Sequence, residues 1–222
     1  MSHPTPTASA MTDKQRAIAV AERLEQIYPE ALCALEYGGE PWRLLIMARL
    51  SAQCTDKRVN EVCKTLFERY PIPEALAKAE LSQVEQVIRP CGLYHVKAKD
   101  VVSCADRLVS VYGGVLPDTM EELLTFDGVG RKVANLLLGD IYKKPAVVVD
   151  THCIRISGRL GLVPEGMKQP EKIEKILSTL IPDEKQSDFC HRIVLFGREY
   201  CPARGQDCNA CPMGTLCLRR GV

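Results

Sequence analysis

Apolar residues along this chain recur every three or four positions and almost never every two, which is the period of amphipathic helices rather than strands. Ala17, Val20, Ala21, Leu24 and Ile27 form one such stripe, and Thr12 stands where it can cap that helix. Pro41 suits the first turn of a second helix carrying Leu44, Leu45, Met47 and Leu50. Thr55 starts a third, with Val59, Val62, Cys63, Leu66, Phe67 and Tyr70 on one face. Ser82 with Glu85, and Asp118 with Glu121, have the spacing of capping boxes. A further stripe over about 97–112 ends at Gly113-Gly114, and two long helices are expected near 170–181 and 188–200. Only Pro-Ala-Val-Val-Val at 145–149 reads as extended, either a strand or a buried link beside its proline. There is no internal repeat. The expected fold class is all-α.

Composition narrows this little. At 222 residues, 46% hydrophobic and 26% charged, the chain can build one good core or two small lobes, and it is not a disordered polymer. A formal charge of +1 means that any nucleic-acid binding uses a local basic face. No apolar run approaches the roughly 20 residues of a membrane span. The first ten residues have neither a charged nor an apolar block of a signal peptide, so residues 1–11 read as a disordered tail. With eleven cysteines and no secretory signal, a reducing cytosol is expected, in cytoplasmic rather than exported protein.

The chemistry concentrates in Phe126 to Asp150. Gly128-Val129-Gly130 allows a tight turn with positive φ, and a helix from about Val129 to Tyr142 follows it. Such a turn is a ready anion site, because the first amides of the helix lack internal partners. Lys132 lies in the first turn, and Asp150 lies eighteen positions further on. The helix climbs ~15 Å at ~1.5 Å per residue, and the extended link can return ~20 Å at ~3.3 Å per residue. The acid can therefore come back within reach of the amine, and it is also placed to cap a helix starting at Thr151. A buried lysine loses its proton more readily than one in water, and a neutral lysine is a nucleophile that forms Schiff bases. On residue types alone, a solvated helix lysine and an ordinary N-cap aspartate remain open.

At the other end, Cys201, Cys208, Cys211 and Cys217 stand at gaps of six, two and five residues. Four thiols so close together in a cytosolic chain point to a metal. Structural zinc more often uses two well-separated Cys-x-x-Cys pairs, whereas one pair with unequal gaps suits a cubane 4Fe–4S cluster. Both stay open on spacing alone. Arg204, Arg219 and Arg220 can offset the charge of a thiolate cluster. The other seven cysteines read as small buried apolar residues.

Five segments together resemble the endonuclease III branch of the helix-hairpin-helix DNA glycosylases, over about residue 30 to Cys217. They are Leu50-Ser51-Ala52-Gln53-Cys54-Thr55-Asp56, Gly92-Leu93-Tyr94 with Lys97-Ala98, the hairpin from Phe126 to Ala134, Val149-Asp150-Thr151-His152, and the cysteine spacing. The resemblance implies a six-helix module over 34–144 with the helix-hairpin-helix at about 118–142. It also implies a second lobe of 12–33 plus 145–222 bearing a cluster loop at 201–217. It implies a base-excision-repair glycosylase and abasic-site lyase acting on oxidised pyrimidines, monomeric, in the bacterial cytosol, on double-stranded DNA. Lys132 would be the nucleophile and Asp150 its acidic partner. Gly128, Val129, Gly130 and Arg131 would hold a DNA phosphate, and Gln53 and Leu93 would enter the duplex. Cys201, Cys208, Cys211 and Cys217 would hold a 4Fe–4S cluster. Altered lesion or mismatch choice, and a non-catalytic iron–sulfur DNA-binding protein, are the competing readings. Asp127 departs from the pattern, since the resemblance leads one to expect proline there.

Overall fold

The computed structural model describes residues 10–222, and within them every regular element is a helix. Residues 1–9 of the expected tail lie outside that range, while Met11 packs against a hydrophobic core. The chain divides into two compact units, Cys33–Tyr142 and Met1–Leu32 with Lys143–Val222.

The unit of residues 33–142 carries α2 (Pro41–Leu50), α3 (Asp56–Arg69), α4 (Pro73–Ala77), α5 (Leu81–Ile88), α6 (Tyr94–Ser110), α7 (Met120–Leu123) and α8 (Arg131–Asp140). The five-residue α4 is too short to show a period, which is why no sequence pattern announces it. α6 is the spine: α2, α4 and α5 all pack on it, through Ala98, Val101, Cys104, Ala105 and Leu108. α2 also packs against α8, so the hairpin helix leans on an element buried along almost its whole length.

The other unit holds α1 (Asp13–Ile27), α9 (Thr151–Leu160), α10 (Pro170–Leu180) and α11 (Gln186–Glu199). α1 packs on α10 and α11, and α11 on α9, around Leu24, Ile156, Ile173, Leu177, Phe189, Ile193 and Phe196. Buried Arg192 is not stranded in this core, because its Nε donates to the Tyr28 carbonyl at 3.0 Å. Residues 143–149 form an extended link without a strand ladder; Val147 and Val149 drop into the core.

Most helix starts follow the sequence signals. Thr12 accepts from the Gln15 amide in a full capping box, Thr55 caps α3, Pro41 opens α2 and Asp150 caps α9. The two internal capping boxes do not form as expected. α5 begins at Leu81 with Glu80 at its cap and no side-chain bond there, so Ser82 is already inside the helix. α7 is capped one residue later than expected, by Thr119 accepting from the Glu122 amide. α6 starts three residues before 97, and α8 two residues after Val129, because Gly130 is still extended at φ −100° and ψ 178°.

Candidate functional site

The hairpin is built from three residues that hold one another. Val129 turns back so that its amide donates to the Phe126 carbonyl at 3.1 Å, and both side chains are buried. Between them Gly128 has φ +70°, a conformation that costs any side chain about 1–2 kcal/mol. A side chain is excluded for a second reason. A Cβ on Gly128 would meet the Arg49 side chain, with Cδ at 2.7 Å and Cζ at 2.8 Å. Arg49 cannot swing away freely, because its Nε donates to Asp100 Oδ2 at 2.7 Å and its Nη2 reaches the same oxygen. The ion pair is mostly buried, so it is screened less than a surface pair.

Asp127 has a specific partner. Its Oδ2 accepts from the Ser103 hydroxyl at 2.6 Å, and its carbonyl accepts from the Cys104 thiol at 3.3 Å. The carboxylate therefore ties the hairpin to α6, where a proline would instead have stiffened the turn from within. At the end of the hairpin, Gly130 caps α8 with no side chain to offer the first-turn amides. Gly128, Gly130, Arg131 and Lys132 are all exposed, whereas Val129 is buried. Of the alternatives left open for Lys132, the structure has the solvated helix lysine: it stands in solvent on the first turn of α8.

Asp150 belongs to the other unit and is held at both oxygens. Oδ1 accepts from the Cys153 amide at 2.7 Å, and Oδ2 lies 3.3 Å from His152 Nδ1. Its side chain is only 18% exposed, so the carboxylate has a single well-defined position.

Gln53 and Leu93 share an uncommon feature. Both lie in the left-handed region, with φ of 53° and 48°, and both are exposed, Leu93 by 60%. Non-glycine residues rarely adopt this conformation, and such strain gathers at functional sites. Gln53 follows the end of α2, and Leu93 precedes the first residue of α6. Just before Leu93, Gly92 adopts φ 68° and ψ 162°, a region open essentially to glycine alone.

Sequence reasoning did not single out the group beneath these two turns. Lys97 is 0% exposed, and its ammonium donates to the carbonyls of Leu50 at 2.9 Å and Cys91 at 2.8 Å. Burial lowers its pKa, partly offset by the neighbouring Cys54 and Cys91 thiols. The signal was present: Lys97 falls on the apolar stripe of α6 with Ala98, Val101, Cys104 and Leu108. Arg49, Asp100 and Ser103 carried no comparable signal, since each is an ordinary polar residue on a helix.

The cysteine loop lies within the second unit. Cys201, Cys208, Cys211 and Cys217 line one apolar cavity with Ile156, Leu160, Phe196 and Met213. All four are half-buried free thiols. Among the described residues no three His, Cys, Asp or Glu side chains are arranged to hold a single metal ion. As a donor set, four thiols lining one cavity match a cluster that takes one cysteine per iron. Donors to sulfur are already in place: Arg159 Nη1 lies 3.2 Å from Cys201 Sγ, and the Arg219 amide 3.3 Å from Cys217 Sγ. Arg159 also bonds the carbonyls of Pro202 and Ala203. The other cysteines are buried as expected, except that Cys33 and Cys54 are only partly covered.

This all-helical fold, with a glycine hairpin opening the helix of Lys132, defines a class. The chain belongs to the HhH-GPD superfamily of base excision DNA repair proteins, whose pattern it matches over residues 46–183. Its curated relatives include endonucleases III. The protein from Synechocystis sp. is 42% identical over 205 residues, 92% of each chain. That of Bacillus subtilis is 38% identical over 88% of this chain and 89% of its own. A trapped endonuclease III–DNA covalent intermediate superposes with a TM-score of 0.87 at 38% identity, covering 94% of this chain and 97% of that one. A thermostable thymine-DNA glycosylase, at 21% identity and a TM-score of 0.84, shares the fold. Among the described residues no helix is long and apolar enough to cross a membrane.

Proposed function

We propose that this protein is a base-excision DNA glycosylase and abasic-site lyase of the endonuclease III type, acting on oxidised pyrimidines in duplex DNA in the bacterial cytosol. The reading is carried by one observation: Lys132 stands exposed in the first turn of a helix that a glycine hairpin presents, in a chain 38% identical to a trapped covalent intermediate with DNA.

In this reading Gly128, Val129 and Gly130 grip a phosphate through backbone amides, which positions the duplex without reading its sequence. Arg131 adds a charge at the same turn. Gln53 and Leu93 enter the stack as the damaged nucleotide leaves it, at a cost of a few kcal/mol that a poorly stacked lesion lowers. Their exposure and left-handed backbones support that role. Lys132 Nζ, as the neutral amine, bonds to C1′ while the C1′–N bond to the base breaks. The base leaves with that electron pair and takes up the proton that Nζ releases. Asp150 stabilises the positive charge that develops at that carbon and assists the proton transfer. The C1′–O4′ bond then opens, O4′ taking up a proton, which leaves a Schiff base between Nζ and C1′ that acidifies C2′. Loss of a C2′ proton and cleavage of the C3′–O bond break the strand on the 3′ side. Lys132 is exposed in the free chain, so the bound duplex itself must exclude water from it.

Cys201, Cys208, Cys211 and Cys217 would hold a 4Fe–4S cluster, which would supply four metal–sulfur bonds joining a loop with little regular structure. A brown preparation with broad visible absorbance supports this, and a colourless preparation containing zinc refutes it.

Borohydride trapping tests the nucleophile. Wild-type protein should be captured on an oligonucleotide carrying one abasic site or one thymine glycol, and Lys132→Ala should not. Capture that persists in Lys132→Ala removes Lys132 from the role. Absence of capture by the wild type favours a non-catalytic DNA-binding protein.

A further inference from the structure

Two exposed side chains with left-handed backbones, Gln53 and Leu93, lie on separate turns of one unit. One buried ammonium touches the chain just ahead of each. Leu50, whose carbonyl accepts from Lys97, is the last residue of α2 and precedes Gln53 by three positions. Cys91, the other acceptor, closes the short 3-10 turn Arg89–Cys91 and precedes Leu93 by two. The Lys97 amide also donates to the Leu93 carbonyl at 3.0 Å. Side chain and backbone of one residue therefore fix both turns. We propose that Lys97 is a positioning residue for base extrusion, its ammonium setting the spacing between the turns of Gln53 and Leu93. This rests on the reading that those two residues enter the duplex.

The chemistry favours a charge in this place. Helix ends leave carbonyls without internal partners, and the C-terminus of α2 carries partial negative charge. An ammonium has three donors and no acceptor, so it can serve two carbonyls at once with short, charge-assisted bonds. A lysine that only lined the core would be replaceable by methionine, which has the same stem and no donor. The strain at Gln53 and Leu93 needs a surrounding structure that enforces it, and Lys97 bonds the chain next to each. The mechanism otherwise makes no use of this residue.

The test separates opening the duplex from the chemistry. Single-turnover excision of thymine glycol from duplex DNA is compared with strand cleavage at an abasic site in a single-stranded oligonucleotide, where no stack has to be opened. Lys97→Met should slow duplex excision about 10- to 100-fold while changing single-strand cleavage by no more than about twofold, since small misplacements are costly only where geometry must be held. Combined with Leu93→Ala, it should add little to the loss that Leu93→Ala causes alone. Equal loss on both substrates, or no loss on the duplex, overturns the proposal. Should Lys97→Met not fold, as judged by circular dichroism and thermal unfolding, Lys97→Gln, whose uncharged amide falls one bond short of the two carbonyls, is read the same way. Gln53→Ala and Leu93→Ala distinguish the two levels. If both leave duplex excision unchanged, the entry reading itself fails; if they impair it and Lys97→Met does not, only the role of Lys97 fails.

Discussion

The hairpin at 126–130 and the cysteine loop at 201–217 are both turns without regular structure, yet they are held in opposite ways. The hairpin is fixed by residues of its own unit: Arg49 pinned by Asp100 beneath Gly128, Ser103 bonded to Asp127, and Phe126 and Val129 buried. The cysteine loop has few buried side chains, chiefly Met213 and Leu216, and its carbonyls are held largely by arginines from outside it, including Arg159 and Arg155. Four half-buried thiols face its cavity. A turn proposed to present backbone amides is preorganised by protein alone. A loop whose side chains are proposed as metal ligands would leave its last constraint to the metal.

The largest expected effect follows from that contrast. With the proposed cluster in the loop, replacing Cys211 by Ser, or stripping the iron with a chelator under reducing conditions, should destabilise the cysteine loop by on the order of 5 kcal/mol or more, because metal binding free energy becomes folding free energy. Hydrogen exchange read by mass spectrometry should show lost protection in 201–217 and the adjoining end of α11. The amides of 126–134 should keep theirs. Equal loss in both regions would mean that the hairpin is not self-supporting.

Gly128→Ala attacks the other side of the comparison. The substitution combines the left-handed penalty with a collision against a guanidinium that Asp100 holds in place. We expect a loss of about 2–4 kcal/mol, measured by urea unfolding. Arg49→Ala by itself leaves the mostly buried Asp100 uncompensated, so the comparison is made within that background, where adding Gly128→Ala should cost only the backbone part. A cost there as large as in the wild type would break the account of Arg49 as the obstacle.

How much of this could be read in the sequence depended on whether a feature was local. Thr12, Thr55, Pro41 and Asp150 mark helix starts through bonds made within one turn, and the structure has them there. Ser82 and Asp118 carried the same letters and failed, because neighbouring Glu80 and Thr119 took the cap positions once packing fixed the register. The hairpin was legible as a turn, but its support was not. Asp127 looked like a carboxylate misplaced beside a phosphate site, and its Ser103 partner lies 24 residues away. Whether Lys132 is buried or solvated was left open by the motif, and it is exposed, since burial is a property of the packed unit rather than of the motif. Lys97 was quoted only as part of a resemblance, although a lysine on an apolar stripe has a readable physical meaning.

Alkaline pH should weaken the unit of 33–142 by a smaller and graded amount. Burial pushes the Cys91 thiol up to about 11, the Cys33 and Cys104 thiols up to about 12 and the Cys63 thiol higher still, from an ordinary value of about 8.5. The folded chain keeps these protons where the unfolded chain releases them. Their contribution is therefore complete below about pH 8.5 and is lost as pH rises towards 11–12. Lys97, whose pKa is lowered by burial, acts in the opposite direction, but it is one group against four buried thiols. Thermal unfolding under reducing conditions should show a falling midpoint between pH 8.5 and 10.5. A Cys104→Ala variant should show a shallower fall, and an unchanged slope would remove the buried thiol as its cause.

The smallest expected effect concerns Asp127, where two contributions oppose each other. Its carboxylate holds Ser103 and so steadies the hairpin, while its charge lies next to the amides proposed to take a phosphate. Asp127→Ala removes both contributions, and its net effect on DNA affinity should be small. Asp127→Asn keeps an oxygen that can accept from Ser103 and removes only the charge. It should therefore bind an abasic duplex more tightly than the wild type, by about 2- to 5-fold at low salt, as expected for one exposed charge. That gain should shrink as added salt brings the screening length to about 8 Å or less. Fluorescence anisotropy across a salt series reads both quantities. Tighter binding by Asn but not by Ala would show that the clasp and the charge act separately at this turn. Equal gains for both would show that Ser103 contributes nothing to holding the hairpin for DNA.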